Sequence, residues 1–407
     1  MKNKGTQRRI VIATTNITTG GLGSYLMTLV EGLKARDWDV RLLVTNERGD
    51  LYESMQKLVI CYNLSDIPLS RKKVIMTSDL LNEILPDILL TNNCSLIHYG
   101  LPLLLSKIKP IAVLHSDDFR FYSVASLFSK RIFRWIAPTR KLSEECKRYI
   151  GTDLYNRIRI IPHGVESEIF LAREDNRIKD KSGTITFIGF IAENKGADLL
   201  PDILENVLQV NGSVTLNIVG YGPLKEKLEK DFRRKGILSH CRFTGIVAPN
   251  KIAQILRSTD IFLLPTRIEG FGLAIIEAMM SGAVPIITKL EGITNEIVKD
   301  GVTGMLIELN NIEKFSKTII HLLNDRICLK EMSKAASLDA IRRFSNKIMI
   351  NSYENLFNEK DDRAYQQKIN KFKWFLMTIA EIKHKGIFKR VVANYISRIF
   401  SASHGNR

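Results

Sequence analysis

The sequence predicts an α/β fold with two Rossmann-like domains, whose parallel sheets face a central cleft. Two observations support this prediction. Short apolar runs alternate with helix-patterned stretches along most of the chain, and this alternation lapses once into polar sequence and then restarts. Strands that alternate with helices imply crossover connections, which produce parallel sheets. The length of 407 residues also exceeds that of a typical single core.

The first half begins with an apolar strand at residues 10–13, a glycine-rich turn at 20–23 and a helix at 24–34. The helix is indicated by apolar residues that recur at helical spacing. Further strands are predicted at residues 40–44, 88–90, 111–114 and 158–161. These elements define a first domain at residues 1–171.

A charged, polar stretch at residues 172–183 is predicted to be an interdomain linker. The second domain is predicted at residues 184–343, with strands at 186–188, 215–219, 261–264 and 284–287. Open α/β sheets bind ligands at the carboxyl ends of their strands, so a ligand is expected between the two domains.

The chain is strongly basic and has few, scattered cysteines. Its formal net charge of +17 predicts an anionic partner, such as nucleotide phosphates, nucleic acid or a membrane surface; a basic composition without a functional role is the alternative. The five cysteines never occur at CxxC spacing, which disfavours a disulfide framework or zinc site and favours a reducing compartment. No apolar run reaches the roughly eighteen residues of a membrane span, nor the length of a signal-peptide core. A cytoplasmic location is therefore expected.

The most informative segment is a glycine-containing loop and helix at residues 265–282. A strand ends at Pro265, the helix begins near Gly272, and Gly282 stands where a left-handed cap would end it. The free N–H groups at the start of such a helix bind anions. Gly270 and Gly272 would let a phosphate approach the backbone.

Glu277 interrupts a helix that is otherwise apolar, so it is expected to be buried. A buried carboxylate needs hydrogen-bond donors, and two ribose hydroxyls would supply them. Glu269 lies eight positions earlier, just before the helix. The structural alternatives are a core donor for Glu277 and a capping role for Glu269.

These two glutamates, with seven residues between them, resemble the signature of the family 4 glycosyltransferases. Four other segments resemble that family's motifs in order, and the likeness runs from about Ile10 to Phe357. The segments are Ile161-Pro-His-Gly-Val165 (family IPNGV), Gly189 with Lys195-Gly196 (GR…KG), Ile218-Val-Gly-Tyr-Gly-Pro-Leu224 (IVGDGPL) and Asp300-Gly-Val-Thr-Gly304 (DGxTG). The resemblance implies a GT-B fold with an acceptor-side first domain, a donor-binding second domain and a helix at 344–362 that returns to the first domain.

The resemblance also implies roles for individual residues. Glu277 would bind the donor's ribose hydroxyls, Glu269 would bind the sugar, and Lys195 would neutralise the leaving diphosphate. The family usually has an arginine where this chain has Phe190, and Arg267 is a candidate substitute. The other expected donor contacts are Gly20, Gly21, Gly189, Gly270, Phe271, Gly272 and Leu273.

In the first domain, His115 ends a predicted strand, where a histidine faces the ligand more often than the core. The family has a histidine in this region that contacts the donor sugar, so His115 is assigned with Glu269 and Lys195 to the catalytic set. Asp118 is a weaker candidate.

The implied activity is that of a retaining glycosyltransferase. It would move a sugar from a nucleotide diphosphate-sugar, UDP favoured over GDP, to a glycan or lipid-linked acceptor in cell-surface polysaccharide or lipopolysaccharide synthesis. No cofactor or metal is expected, and nucleic acid is not an expected partner. The alternatives are a nucleotide-sugar epimerase on the same fold and a non-catalytic nucleotide-sugar-binding partner, which Phe190 keeps open.

The end of the chain, residues 363–407, is a basic tail with two amphipathic patterns. Residues 364–407 carry nine Lys or Arg against one acid. Basic amphipathic helices bind at anionic membrane surfaces, and the basic stretch at 130–135 is expected to help face that surface. Docking of the apolar faces on the first domain is the alternative. The expected location is therefore peripheral, on the inner face of the cell membrane.

Overall fold

The structure, a computed structural model, describes residues 7–171 and 183–362. The chain divides into two compact units. Of the described residues, the first unit comprises 7–138, Leu142–Ile161 and 353–362, and the second comprises Thr139–Lys141, 162–171 and 183–352. The predicted basic tail at 363–407, and the predicted linker apart from Gly183, lie outside the described residues.

The first unit contains a seven-stranded, all-parallel sheet in the order β3-β2-β1-β4-β5-β6-β7. Its strands are β1 (Arg9–Thr14), β2 (Asp39–Val44), β3 (Ile60–Asn63), β4 (Ile88–Asn92), β5 (Lys109–Val113), β6 (Arg134–Ala137) and β7 (Ile158–Ile160). Its helices are α1 (Gly21–Lys34), α2 (Tyr52–Gln56), α3 (Arg71–Ile84), α4 (Ser95–Gly100), α5 (Phe119–Ala125) and most of α6 (Arg140–Lys147). The strand order reverses between β1 and β4, which is the topological switch point of a Rossmann sheet.

The second unit contains a six-stranded parallel sheet in the order β10-β9-β8-β11-β12-β13. Its strands are β8 (Thr184–Ile188), β9 (Thr215–Val219), β10 (Cys241–Gly245), β11 (Ile261–Leu264), β12 (Val284–Thr288) and β13 (Met305–Ile307). Its helices are α7 (Ser167–Phe170), α8 (Leu200–Leu208), α9 (Lys225–Arg234), α10 (Pro249–Arg257), α11 (Leu273–Met280), α12 (Thr294–Ile297), α13 (Ile312–Asn324) and α14 (Arg326–Phe344), followed by α15 (Asn346–Phe357). The switch point lies between β8 and β11.

The two parallel sheets with flanking helices confirm the predicted fold class, and every strand predicted from an apolar run is present. Central strands such as β4, β11 and β12 are buried along their whole length, as parallel strands covered on both faces are expected to be. Four strands were not predicted from the sequence. They are β3, β6, β10 and β13, which are short or contain charged and exposed residues.

The basic stretch at 130–135 was expected to help face a membrane surface, but the structure contradicts this for residues 132–135, which are buried, and leaves Lys130 exposed. Its last two residues begin β6, and Arg134 is only 4% exposed. The Arg134 guanidinium contacts Glu359 at 2.6 Å and Asp362 at 2.8 Å. The charge is therefore balanced inside the first unit by the segment that follows α15.

The last part of α15 packs within the first unit. The hydroxyls of Tyr25 and Tyr353 lie 2.7 Å apart in a fully buried contact, and the rings of Trp38 and Phe357 meet edge to face at 5.2 Å. No helix in residues 7–171 or 183–362 combines the length and apolarity that a membrane crossing requires.

Candidate functional site

The loop after β11 leads directly into α11 at the carboxyl edge of the second sheet. Gly272 caps the start of α11 with a φ of 102°, a region that favours glycine. The helix ends in a Schellman motif: Gly282, with a φ of 82°, donates its N–H to the carbonyl of Met279, and Ala283 donates to that of Ala278. The predicted left-handed cap at Gly282 is confirmed.

Lys195 and Glu269 come together at the switch point of this sheet. Lys195 follows β8 and Glu269 follows β11, and Lys195 Nζ donates to Glu269 Oε2 at 2.8 Å. The two loops are also joined through their backbones, since a Cβ on Gly196 would lie 1.9 Å from the carbonyl oxygen of Pro265. Only glycine permits this approach. Both side chains were predicted to belong to the site, and the structure brings them together.

Glu277 is buried, with 9% of its surface exposed, as predicted. Burial raises the pKa of its carboxyl group to about 7, because a low-dielectric environment disfavours the charged form. Within residues 7–171 and 183–362, no group donates a hydrogen bond to its side chain. A buried carboxylate without a protein donor needs an external one, which ligand hydroxyls can provide.

Arg267 is engaged within the protein. Its guanidinium makes a two-pronged ion pair with Asp198 at 2.7 and 2.8 Å, and it also donates to the carbonyl of Glu193. The carboxylate raises the pKa of Arg267 further. The charge that the sequence analysis assigned to the donor is thus already balanced by Asp198.

The remaining second-unit candidates divide into side chains that pack inward and glycines that set loop geometry. Phe271 is 5% exposed and its ring lies 5.1 Å from that of His163; Leu273 is also buried. Their side chains therefore serve the packing of the loop. Gly189 donates its N–H to the carbonyl of Val219, and Gly270 donates its own to Glu269 at 3.2 Å.

In the first unit, Gly20 and Gly21 form the entry to the long helix α1. Both are exposed, and a Cβ on Gly20 would meet nothing within 4 Å. No acidic residue occupies the first turn of α1. This open helix N-terminus is suited to an anion.

His115 follows β5 and lies at the same edge of the first sheet. Its Nε2 is 2.8 Å from Asn92 Oδ1, and Asn92 Nδ2 donates to the carbonyl of Ala13. Because that bond fixes the amide orientation, Nε2 of His115 carries the proton and donates. Burial lowers the pKa of His115 to about 3, so the ring is neutral at physiological pH. The edge of the Tyr25 ring packs against it at 5.1 Å.

Two further observations concern residues near His115. Asp118, the weaker candidate, caps α5 by accepting from the Arg120 backbone at 2.9 Å and pairs with the Arg120 side chain, so its role in this structure is structural. The sequence analysis missed Asn92, which is completely buried. Its position at the end of an apolar strand, at the switch point of the first sheet, was the available signal.

Two protein-family matches together cover most of the chain. The family described as Glycosyltransferase Family 4 matches residues 19–169, and Glycosyl transferases group 1 matches residues 168–339. An uncharacterised glycosyltransferase of Methanocaldococcus jannaschii is 27% identical, over 84% of this chain and 95% of its own length. The UDP-Gal:alpha-D-GlcNAc-diphosphoundecaprenol alpha-1,3-galactosyltransferase of Escherichia coli is 29% identical, over 61% of this chain and 69% of its own length.

Solved structures show the same fold. The Anabaena protein HepE, in complex with UDP and glucose, aligns with a TM-score of 0.73 and 16% identity, covering 86% of this chain and 99% of its own. TarM of S. aureus, crystallised with UDP, aligns with a TM-score of 0.71 and 14% identity over 87% of this chain and all of its own. The paired glutamates on the loop and helix after β11, the two parallel sheets and the two adjoining family matches lead to one conclusion: the chain belongs to the family 4 glycosyltransferases and has the GT-B fold.

Proposed function

We propose that the second unit binds a uridine diphosphate-sugar and that the enzyme transfers its sugar, with retention of anomeric configuration, to a glycan or lipid-linked acceptor. Glu277 is the observation that carries this proposal. Its carboxylate is buried, lacks a donor among the described residues and lies on the helix whose N-terminus faces the carboxyl edge of the sheet. A ribose carries two adjacent hydroxyls, which match the two oxygens of a carboxylate.

The relatives support the choice of uridine and of acceptor. HepE binds UDP and glucose, and the E. coli relative uses UDP-galactose with a diphosphoundecaprenol-linked sugar. A GDP-mannose-dependent phosphatidylinositol monomannoside mannosyltransferase of Mycobacterium tuberculosis is 29% identical, but over only 41% of this chain. HepE and the E. coli relative support a uridine donor, and the acceptors named for the E. coli and M. tuberculosis relatives support a glycan or lipid-linked acceptor in cell-surface synthesis.

In the proposed reaction, the bond from the anomeric carbon to the diphosphate oxygen breaks as the bond to the acceptor oxygen forms on the same face. The electron pair leaves with the diphosphate, whose oxygen takes the acceptor's proton. Lys195 and the backbone N–H groups at the start of α11 would stabilise the developing negative charge. This cationic set would allow turnover without a metal ion, so activity should persist in a chelator.

The test is turnover of UDP-sugars with lipid-linked and soluble glycan acceptors, followed by UDP release and by NMR of the anomeric proton of the product. We expect UDP release and a product whose configuration matches the donor. Glu277→Gln should remove turnover, whereas the matched control Glu331→Gln, at an exposed position on α14, should retain it. An inverted product would reject the retaining mechanism.

Phe190 supports one other candidate, a non-catalytic nucleotide-sugar-binding protein. It stands where the family usually has an arginine, and Arg267 is held by Asp198. Saturable binding of UDP-sugars that depends on Glu277, without UDP release for any acceptor, would favour this candidate.

A further inference from the structure

Two exposed aromatic rings stand at the carboxyl edge of the second sheet. Phe190 is 42% exposed and Tyr221 is 54% exposed, and their rings meet edge to face with centroids 5.2 Å apart. Each lies two residues beyond the end of its strand, β8 or β9, and these strands are neighbours. Among the described residues of the second unit, no other aromatic side chain is this exposed.

The backbone holds this aromatic pair in place. Ile191 donates its N–H to the carbonyl of Tyr221 at 2.7 Å, and the N–H of Leu224 returns to the carbonyl of Ile191 at 3.1 Å. A Cβ on Gly220 would lie 2.0 Å from the carbonyl oxygen of Gly189, so the two loops meet at a distance that only glycine allows. Loops whose backbones are held in this way lose little conformational freedom when a ligand packs on them.

Both rings occupy positions at which this chain departs from the motifs it otherwise resembles. Phe190 stands at the arginine of the GR…KG motif, and Tyr221 stands at the aspartate of IVGDGPL. The structure shows that the two departures contact each other. The arginine and the aspartate of the family motifs are thus replaced by two aromatic residues, which together form one surface.

We propose that the Phe190–Tyr221 pair is a stacking platform for the nucleobase of the donor, and this inference rests on the proposed function. Ligands of open α/β sheets bind at this edge, and the base is the flat, weakly polar part of a nucleotide-sugar. Lys195 and Glu269 lie at the β8–β11 switch point and are assigned to the diphosphate and the sugar. Because those groups occupy the β8–β11 side of the edge, the base is assigned to the β8–β9 side, where the two rings lie. Stacking on aromatic side chains is a general mode of base recognition.

If the rings stack on the base, substitutions of Phe190 or Tyr221 should change the affinity for ligands that carry the base. The affinity for a diphosphate without a base should change little. Tyr221→Leu and Phe190→Leu should each weaken UDP binding about tenfold. Both should leave the affinity for ribose 5′-diphosphate, which lacks the base, within about twofold of the wild type. Tyr221→Phe keeps the ring and should bind UDP as the wild type does. Tyr155→Leu, at an exposed tyrosine of the first unit, is the matched control and should also leave UDP binding unchanged.

The experiment is calorimetric titration of the full chain and these variants with UDP, ribose 5′-diphosphate and a UDP-sugar, with melting curves to verify folding. Leucine variants that keep wild-type UDP affinity would overturn the platform while the proposed function stands. Variants that bind UDP normally but lose affinity for the UDP-sugar would show that the rings contact the sugar, which also overturns it. An equal loss for UDP and ribose 5′-diphosphate would contradict it as well. A wild type that binds no nucleotide would reject both proposals.

Discussion

The second unit offers charged groups to a ligand, whereas the first unit offers neutral ones. Lys195 and Glu269 form an ion pair at the switch point of the second sheet, and Glu277 is a buried carboxylate whose pKa is about 7. In the first unit, His115 is a neutral ring hydrogen-bonded to Asn92, and the glycine loop presents only backbone groups. Charged side chains that could stabilise a leaving diphosphate would therefore come from the second unit, whereas the first unit would contribute the backbone N–H groups at the start of α1 and the neutral ring of His115.

The difference also shows how each unit is built. In the second unit, loops are held by glycine contacts and by the Arg267–Asp198 ion pair, so that charged side chains stand in fixed positions. In the first unit, a hydrogen bond to Asn92 and packing against the Tyr25 ring help to place His115. Variants in the two units should accordingly differ in how much turnover or stability they lose, and in how that loss depends on pH.

After Glu277→Gln, which should remove turnover, the largest effect is expected for Lys195→Met, since it removes the cation assigned to the leaving diphosphate. Loss of one such stabilising group typically lowers kcat by about a hundredfold to a thousandfold. Steady-state kinetics with the UDP-sugar identified as the donor would measure this. The control is Lys235→Met: Lys235 is also in the second unit and is paired with Asp202 and Glu205. Equal kinetics for the two variants would remove Lys195 from the site.

Glu277→Gln should change the stability of the unliganded protein in a pH-dependent way. Burial raises the pKa of Glu277 from 4.5 to about 7, so the folded state holds this proton more tightly than the unfolded state. The contribution of this bound proton to the free energy of unfolding is complete below about pH 4.5 and is lost as pH rises through 7. Above that, the wild type should be less stable than Glu277→Gln by roughly 3 kcal/mol.

Denaturant unfolding monitored at several pH values would measure this difference. The gap between the two proteins should close as pH falls towards about 4.5, the unfolded-state value. A constant gap across the range would show that the carboxyl group titrates normally in the folded protein.

His115→Gln should have an intermediate effect. It removes one neutral hydrogen-bonding ring, so we expect turnover to fall by about three- to tenfold, without a new step in the pH–rate profile between about pH 5 and 8. His98→Gln is the control, because His98 is also a buried histidine of the first unit with a lowered pKa and contacts Thr91 at 3.0 Å. A loss of turnover in both variants in proportion to their stability would assign His115 to the core.

The smallest effect is expected for Arg267→Met. Its ion pair with Asp198 is partly exposed, with side chains 27% and 24% accessible, so the loss in stability should be about 1 kcal/mol. The KM for the UDP-sugar should change by less than about twofold, since the charge is balanced within the protein. A large rise in KM would restore Arg267 as the substitute for the missing arginine.

The sequence predicted nine of the thirteen strands in the described residues from apolar runs, and missed four strands of three to five residues. Strand β6 begins with Arg134, whose burial is made tolerable by Glu359 and Asp362, more than two hundred positions away. Such a long-range ion pair leaves no periodic signal, so the segment was interpreted as basic surface rather than as the start of a buried strand. The short edge strand β3, whose Ile60 is 55% exposed, was missed for the same lack of an apolar run.

The site was predicted best where function constrains spacing along one loop. The glutamate pair, Gly272 and Gly282 lie on a single strand–loop–helix segment, so their spacing in sequence fixed their arrangement in space. The partner of Arg267 and the tautomer of His115 depend on Asp198 and Asn92, which approach from other strands and loops. The joining of Phe190 and Tyr221 across two loops is likewise visible only in the structure.

The most direct test of the account is calorimetric titration of UDP into the wild type and Glu277→Gln at about pH 6 and pH 8. If the ribose hydroxyls donate to the ionised carboxylate, wild-type affinity should rise about tenfold between these values, because the ionised fraction of a group with a pKa of about 7 rises by that factor. The glutamine variant should bind weakly at pH 8 and lack the part of the rise that depends on Glu277. Any pH dependence that the variant keeps measures the ionisation of UDP itself. Identical pH profiles for the two proteins would contradict the assignment of Glu277 to the donor.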